Sequence, residues 1–222
     1  MSTFSPEAKS PRPSLTVGTA MLLAVAVFAV LALAPTAQGQ VPDITPTITS
    51  TTAGGGWSSA STWEEGRTPT STDIVRIVGP VTTVSEDPTI AGLHVTSTGS
   101  LVGGANDDSS IFKIYGPLVN EGTIAHEGGT ANGLRLETYS DVLNQGTMIN
   151  CILNLYGDTD RVIDGIFQSW VVANGGFALT GTPHFAGPRL SIRYDILLTP
   201  GSSITASAEY INDITVSGGP LY

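Results

Sequence analysis

Basic side chains are scarce in this chain. Among 222 residues there are nine Lys and Arg against 19 Asp and Glu, for a formal charge of −10. A nucleic-acid binder needs cations to neutralise phosphates, and this sequence does not supply them. An anionic membrane surface is an equally poor partner. Charged residues make up only 13% of the chain, while apolar residues reach 41%, the opposite of the balance that keeps a chain disordered. There is a single cysteine, Cys151, so no intramolecular disulfide can form and the folded part rests on core burial alone. As a lone thiol among apolar neighbours, Cys151 reads as a small buried residue. None of the eight asparagines begins an N-x-[ST] sequon, which fits a bacterial exported protein.

Long apolar runs are confined to one place. Residues 1 to 14 are polar, with Lys9 and Arg12 as their basic side chains, and VGTAMLLAVAVFAVLALA follows from Val17 to Ala34 without a charge. Pro35 stops the run, and the small residues Ala37 and Gly39 suit the pocket of a signal peptidase. Residues 1–39 therefore read as a signal peptide cut after Gly39, and no cysteine follows the run to carry a lipid. The rival reading is an uncleaved anchor, since eighteen apolar residues reach the lower limit for spanning a bilayer. Membrane contact is otherwise not expected.

Residues 40–56, rich in Thr and Pro and ending in three glycines, read as a linker, with the folded region beginning near Trp57. From there to residue 222 the chain lacks any sustained helical period and alternates apolar and polar residues instead. LSIRYDILL sets Leu190, Ile192, Tyr194, Ile196 and Leu198 against Ser191, Arg193 and Asp195. Leu134 and Leu136 alternate with Arg135 and Glu137, and Phe112 and Ile114 flank Lys113. This is the pattern of an all-β chain.

A longer period overlies the short one. The pairs Val75/Ile77, Leu93/Val95, Phe112/Ile114, Leu134/Leu136, Leu153/Leu155, Phe177/Leu179, Ile196/Leu198 and Ile214/Val216 start 18, 19, 22, 19, 24, 19 and 18 residues apart. LVNEGTI (Leu118 to Ile124) and VLNQGTM (Val142 to Met148) share N-x-G-T at an offset of 24. LHVTSTGSL (Leu93 to Leu101) and ILLTPGSSI (Ile196 to Ile204) each place Gly-Ser after a strand. Stacked coils of about twenty residues explain these repeats, with Gly and Asn at corners that need left-handed backbone. The fold expected is a right-handed parallel β-helix, or solenoid, of about eight rungs. A β-sandwich or jelly roll with turns every eight to twelve residues leaves a similar imprint.

The segment GGGWSSASTWEEGRTPTSTDIVRIVGPVT, Gly54 to Thr82, resembles the opening of secreted bacterial β-solenoid proteins. It is also similar to the eight-glycine domain of some animal cell-surface and polysaccharide-processing proteins. Trp57, Trp63, Pro69 and Asp73 before the strand Ile74 to Val78 carry the likeness. The resemblance implies a capping role for the opening, export, and surface or carbohydrate-related roles, and it implies no catalytic residues. The Trp57 and Trp63 pair itself suits either a cap over the end of a solenoid core or a platform for stacking sugars.

Catalytic motifs are absent. His94, His126 and His184 lie far apart, and HEGGT at His126 lacks the second histidine of a zinc helix. There is no nucleophile elbow, P-loop or dinucleotide fingerprint, so no catalytic, cofactor-binding or metal residue is assigned and no cofactor is expected. The acidic groups Asp107/Asp108 and Asp158/Asp160/Asp164 read as solvated turn acids, with Arg161 a partner for one of them. Alternatively Asp158 and Asp160 share a Ca²⁺ ion with nearby carbonyls.

Two functional classes follow. One is an exported structural or adhesin-like surface protein that binds glycans or cell-surface protein through a solenoid face. The other is a polysaccharide lyase or hydrolase with carboxylates on the middle rungs. The final segment, YINDITVSGGPLY, carries Asp213 as its one charge, so the expectation is either end-to-end self-association through a bare last rung or a 57–222 solenoid truncated from a longer array. A first prediction concerns processing: expressed with a working secretory pathway, the chain loses its first 39 residues or nearly so. N-terminal sequencing of exported material that still begins at Met1 would establish the anchor instead.

Overall fold

The computed structural model describes residues 44–104, 110–128, 133–157, 160–187, 189–192, 196–207 and 210–212. The apolar segment and its cleavage site lie outside them, as do Asp107, Asp108, Asp158 and the last ten residues on which the end-to-end expectation rests. Among the described residues no α-helix forms, and no helix is long and apolar enough to cross a membrane.

The chain is a parallel β-solenoid. Two short strands, β1 (Ile48–Thr49) and β2 (Gly55–Gly56), open it, followed by a 3₁₀ turn at Ala60–Thr62. The first full turn comprises β3 (Ile74–Ile77), β4 (Pro80–Thr83) and β5 (Thr89–Ile90). The second comprises β6 (Gly92–Val95), β7 (Ser100–Gly103) and β8 (Ser110–Ile114), and the third β9 (Leu118–Asn120), β10 (Thr123–His126) and β11 (Leu134–Thr138). β12 (Val142–Asn144) and β13 (Thr147–Leu155) make the fourth, and β14 (Arg161–Ala173) runs round all three sides of the fifth. Shorter strands continue the pairing above them: β15 (Phe177–Thr180), β16 (His184–Phe185), β17 (Arg189–Ile192), β18 (Ile196–Leu198), β19 (Thr205–Ala206) and β20 (Tyr210–Asn212).

Each strand pairs in parallel with its counterpart one turn away, so equivalent residues stack. On one face Ile48, Val75, Leu93, Leu118, Val142 and Ile163 form a single column, every member fully buried. A second column holds Val81, Leu101, Ile124 and Met148. The third runs through Phe112, Leu136, Leu153, Val171 and Leu190. These columns are the core. The alternation read from the sequence holds in two of its three segments: Leu134, Leu136, Phe112 and Ile114 point in, Lys113 is exposed and Arg135 lies on the outer face, whereas Leu190 to Leu198 divides between β17 and β18, with residues 193–195 outside the described ones and Ser191 buried. The sandwich alternative has no counterpart here.

The number of turns differs from the count of apolar pairs. About five full turns carry the three-sided core, against the eight rungs expected. The pairs jump between faces: Leu93/Val95 and Phe112/Ile114 lie on two sides of one turn, so each side of a coil contributes its own pair. Registered neighbours in the first column are 18 to 27 residues apart, the spread being absorbed at the corners.

The linker expected over 40–56 is also corrected, because its described part belongs to the solenoid. Ile48 is the lowest member of the first column, and the hydroxyls of this Thr- and Ser-rich stretch serve the strand above. Ser50 Oγ accepts from Val78 N at 2.9 Å, and Thr47 Oγ1 accepts from Ile74 N at 3.0 Å. With strands of two residues, no alternation shows in the sequence and only the turn chemistry is legible.

The N-x-G-T repeats gain a physical reason. Asn120 and Asn144 are registered and both point inward, with Asn120 Nδ2 donating to Asn144 Oδ1 at 2.7 Å. Asn144 Nδ2 donates in turn to the Ile166 carbonyl. Below Asn120 the column continues in Val95, and Asn120 Oδ1 has no partner among the described residues. At Gly146 a Cβ would collide with the Gly122 carbonyl oxygen, so the corner closes only without a side chain. Asn150 takes the left-handed conformation at φ 55°, as expected of an asparagine corner.

The first turn is closed by aromatic and ionic contacts. Trp57 and Trp63 meet edge to face at 5.1 Å, and Trp57 packs on Phe112 at 4.7 Å. Trp63 Nε1 donates to the Trp57 carbonyl at 2.9 Å. Beside them Asp73, buried just before β3, accepts a forked pair of bonds from Arg67 at 2.7 and 2.8 Å. It also accepts from Thr70 N, Thr70 Oγ1 and Thr47 Oγ1, each at 2.8 Å. The Arg67 guanidinium, with the Thr70 and Thr47 donors behind it, holds the Asp73 carboxyl well below the usual carboxylate range despite the opposing cost of burial.

Two predictions follow. Leu136→Asp puts a charge into the third column and should cost about 5 kcal/mol, comparable to the whole stability of a marginal domain. Arg135→Asp should leave the thermal midpoint nearly unchanged, and equal melting of the two variants would reverse the strand register. Asp73→Asn should cost about 2 to 3 kcal/mol near neutral pH by weakening charge-assisted bonds. Because the carboxyl's native pKa lies below its unfolded value, this contribution is complete above about pH 4 and fades as pH falls further. Denaturant melts of both proteins should therefore converge towards pH 2, and a gap that persists there would remove the ionic account.

Candidate functional site

The outer side of the third face differs from the polar surface that alternation implies. Its outward row reads Ile111, Arg135, Ile152 and Trp170, registered from β8 through β11 and β13 to β14. The neighbouring row reads Lys113, Glu137, Asn154, Val172 and Ser191. Ile152 and Val172 therefore face outward, yet both are buried. Over them lies a groove of about 290 Å³ with Ile152 and Val172 in its lining. Arg135, Asn154, Tyr156, Trp170 and Asn174 complete its walls.

A register accident of the fold supplies the aromatic wall. Tyr115, Tyr139 and Tyr156 each follow directly on a third-face strand, and each amide bonds to the carbonyl of the turn below, to Ile90, Ile114 and Thr138 respectively. The rings consequently stack, Tyr115 on Tyr139 at 4.7 Å and Tyr139 on Tyr156 at 5.4 Å, with planes inclined 18° and 17°. Tyr115 stays exposed at the lower end, and Tyr156 reaches the groove. Burial, reinforced by the negative charge of Glu137, pushes the Tyr139 phenol up from its ordinary value. On the opposite wall the Arg189 guanidinium carbon sits 4.7 Å from the centre of the Trp170 ring, a cation–π contact.

These residues escaped the sequence reading. The tyrosines carry a usable signal, since each stands one place beyond an x-inward pair: Phe112-x-Ile114, Leu136-x-Thr138 and Leu153-x-Leu155. Trp170 has none, because it sits inside the unpunctuated run of β14 and its outward direction shows only from the register.

The residues singled out by sequence fall elsewhere. Trp57 and Trp63 are almost wholly buried, at 4% and 2% exposure, so their faces serve the cap and are closed to a sugar. Cys151 is buried; desolvation pushes its thiol up to about 12, although contact with Ser169 Oγ at 3.1 Å opposes the shift. It is a core residue, as expected, and is shielded from thiolate chemistry. The histidines are not brought together: His94 meets Glu121 at 3.0 Å, His126 is buried, and His184 contacts Thr205 Oγ1 at 2.8 Å.

Of the acidic groups, Asp164 accepts from Gly165 N at 3.0 Å and Thr182 Oγ1 at 3.2 Å, and Asp160 is exposed. Asp158 lies outside the described residues, and with it the Ca²⁺ pair. Among the described residues no group of three or more His, Cys, Asp or Glu is placed to hold a metal ion. Arg161, read as a partner for the turn acids, is buried and donates to the Tyr156 carbonyl. No protein-family model, curated protein or solved structure matches the chain.

Proposed function

We propose that the chain is an exported surface or extracellular protein of structural or adhesin-like kind, which binds glycans in the groove on its third face. The observation that carries this reading is the groove itself: two aromatic side chains, Tyr156 and Trp170, flank amide and guanidinium donors over an apolar floor. Indole and phenol rings match the apolar faces of sugar rings, and the polar groups supply orientation. Every lining residue stands on or directly beside a strand of a hydrogen-bonded sheet, which suits recognition without rearrangement. The apolar run from Val17 to Ala34 and the Ala37-x-Gly39 site support export. The resemblance of Gly54 to Thr82 to secreted solenoid proteins supports the same compartment.

A panel of neutral and anionic polysaccharides, immobilised and challenged with purified chain, tests the proposal. Retention on at least one, without release of new reducing or unsaturated ends, is the expected result. Trp170→Ala should weaken retention by about 2 kcal/mol, the usual cost of removing a central aromatic anchor, while leaving the melting temperature near its parent value. Release of ends would establish the lyase or hydrolase instead. Failure to be retained by any polysaccharide would overturn glycan binding.

A further inference from the structure

The polar groups of the groove are one-sided. Arg135 is the only charged residue in its lining, and among the described residues it forms no ion pair. Asn154 and Asn174 add amides, and no lining residue is a carboxylate. At Trp170 the Arg189 guanidinium covers the ring, and among the described residues the indole Nε1 and the Nε of Arg189 are buried without a hydrogen-bond partner. Glu137 lies on the same outer face but outside the lining, in register with Lys113 of the turn below. In a chain of formal charge −10, a recess whose one charge is positive is set apart from its surroundings.

We infer that the groove selects acidic glycans, with the carboxylate of a uronate residue on Arg135 and the sugar ring against Trp170 and Tyr156. This rests on the glycan-binding reading and names its ligand class. A guanidinium presents a planar fork that fits a carboxylate with two parallel bonds, which a neutral hydroxymethyl group cannot reproduce. The groove volume of about 290 Å³ is at the lower end for small-molecule sites, so it holds a short stretch of a chain at a time. The overall negative charge repels a polyanion at long range. At physiological salt that repulsion is screened beyond about 8 Å, which leaves the contact at Arg135 to decide.

The test uses the purified chain at physiological salt and three probes of equal length: a galacturonate oligosaccharide, its methyl ester, and a sulfated neutral oligosaccharide. Binding is followed by calorimetry and by tryptophan fluorescence, in which Trp57 and Trp63 are shielded in the cap and Trp170 responds. The free acid should bind about tenfold more tightly than the ester, the value of one hydrogen bond to a charged group. Arg135→Gln should weaken acid binding about tenfold more than ester binding, abolishing that preference, with the melting temperature unchanged. Equal binding of acid and ester would overturn the acidic-ligand assignment and leave glycan binding standing. So would tighter binding of the sulfated probe, or an Arg135→Gln variant that loses acid and ester alike. Failure of every oligosaccharide to bind would overturn both readings.

Discussion

Parallel pairing in register, shifted between Ile149 and Ile152 where β13 meets β14, is the constraint on which the rest of this molecule depends. Once a strand is hydrogen-bonded to its counterpart one turn below, each side chain must sit on the equivalent side chain of that turn. A core position then has to be apolar in every turn or be matched in kind. The fully buried column from Ile48 to Ile163 satisfies the first condition. The Asn120–Asn144 pair satisfies the second, since an amide carries both donor and acceptor groups and so tolerates a like neighbour. The same rule operates on the outside, where it costs nothing in burial: tyrosines that happen to follow three successive strands are brought face to face.

Register also makes the opening of the coil a special problem, because among the described residues only the two-residue strands β1 and β2 pair below the first turn. The answer here is local. Trp57 and Trp63 cover the open core with two large rings packed edge to face, a geometry favoured by the indole charge distribution. The Arg67–Asp73 contact and the Thr47 and Thr70 hydroxyls then fasten the segment that enters β3. An acid is tolerable at this depth because five donor bonds converge on its two oxygens.

The fold class was legible because two periods coincide in the sequence. Alternation gave the direction of Leu134, Leu136, Phe112 and Ile114, and the recurring N-x-G-T corners gave the coil. The turn count was not legible, since a three-sided coil offers an apolar pair on more than one side and the spacing of pairs does not say which. Strands of two residues, such as Ile48–Thr49, are too short to alternate and so read as linker. The groove was hidden for a different reason. Sequence period separates inward from outward residues, but it does not say which outward residues of different turns are neighbours. Arg135, Ile152 and Trp170 are adjacent only because the register makes them so.

The uneven length of the coils has an evolutionary meaning. Registered residues of the first column are separated by as few as 18 and as many as 27 positions, yet the column itself is unbroken. Insertions and deletions at the corners are thus invisible to the core, which senses only which residue lands on which. Loops can lengthen, shrink or be exchanged turn by turn while the scaffold persists. A lineage carrying this architecture can remodel its outer surface quickly without first solving the folding problem again.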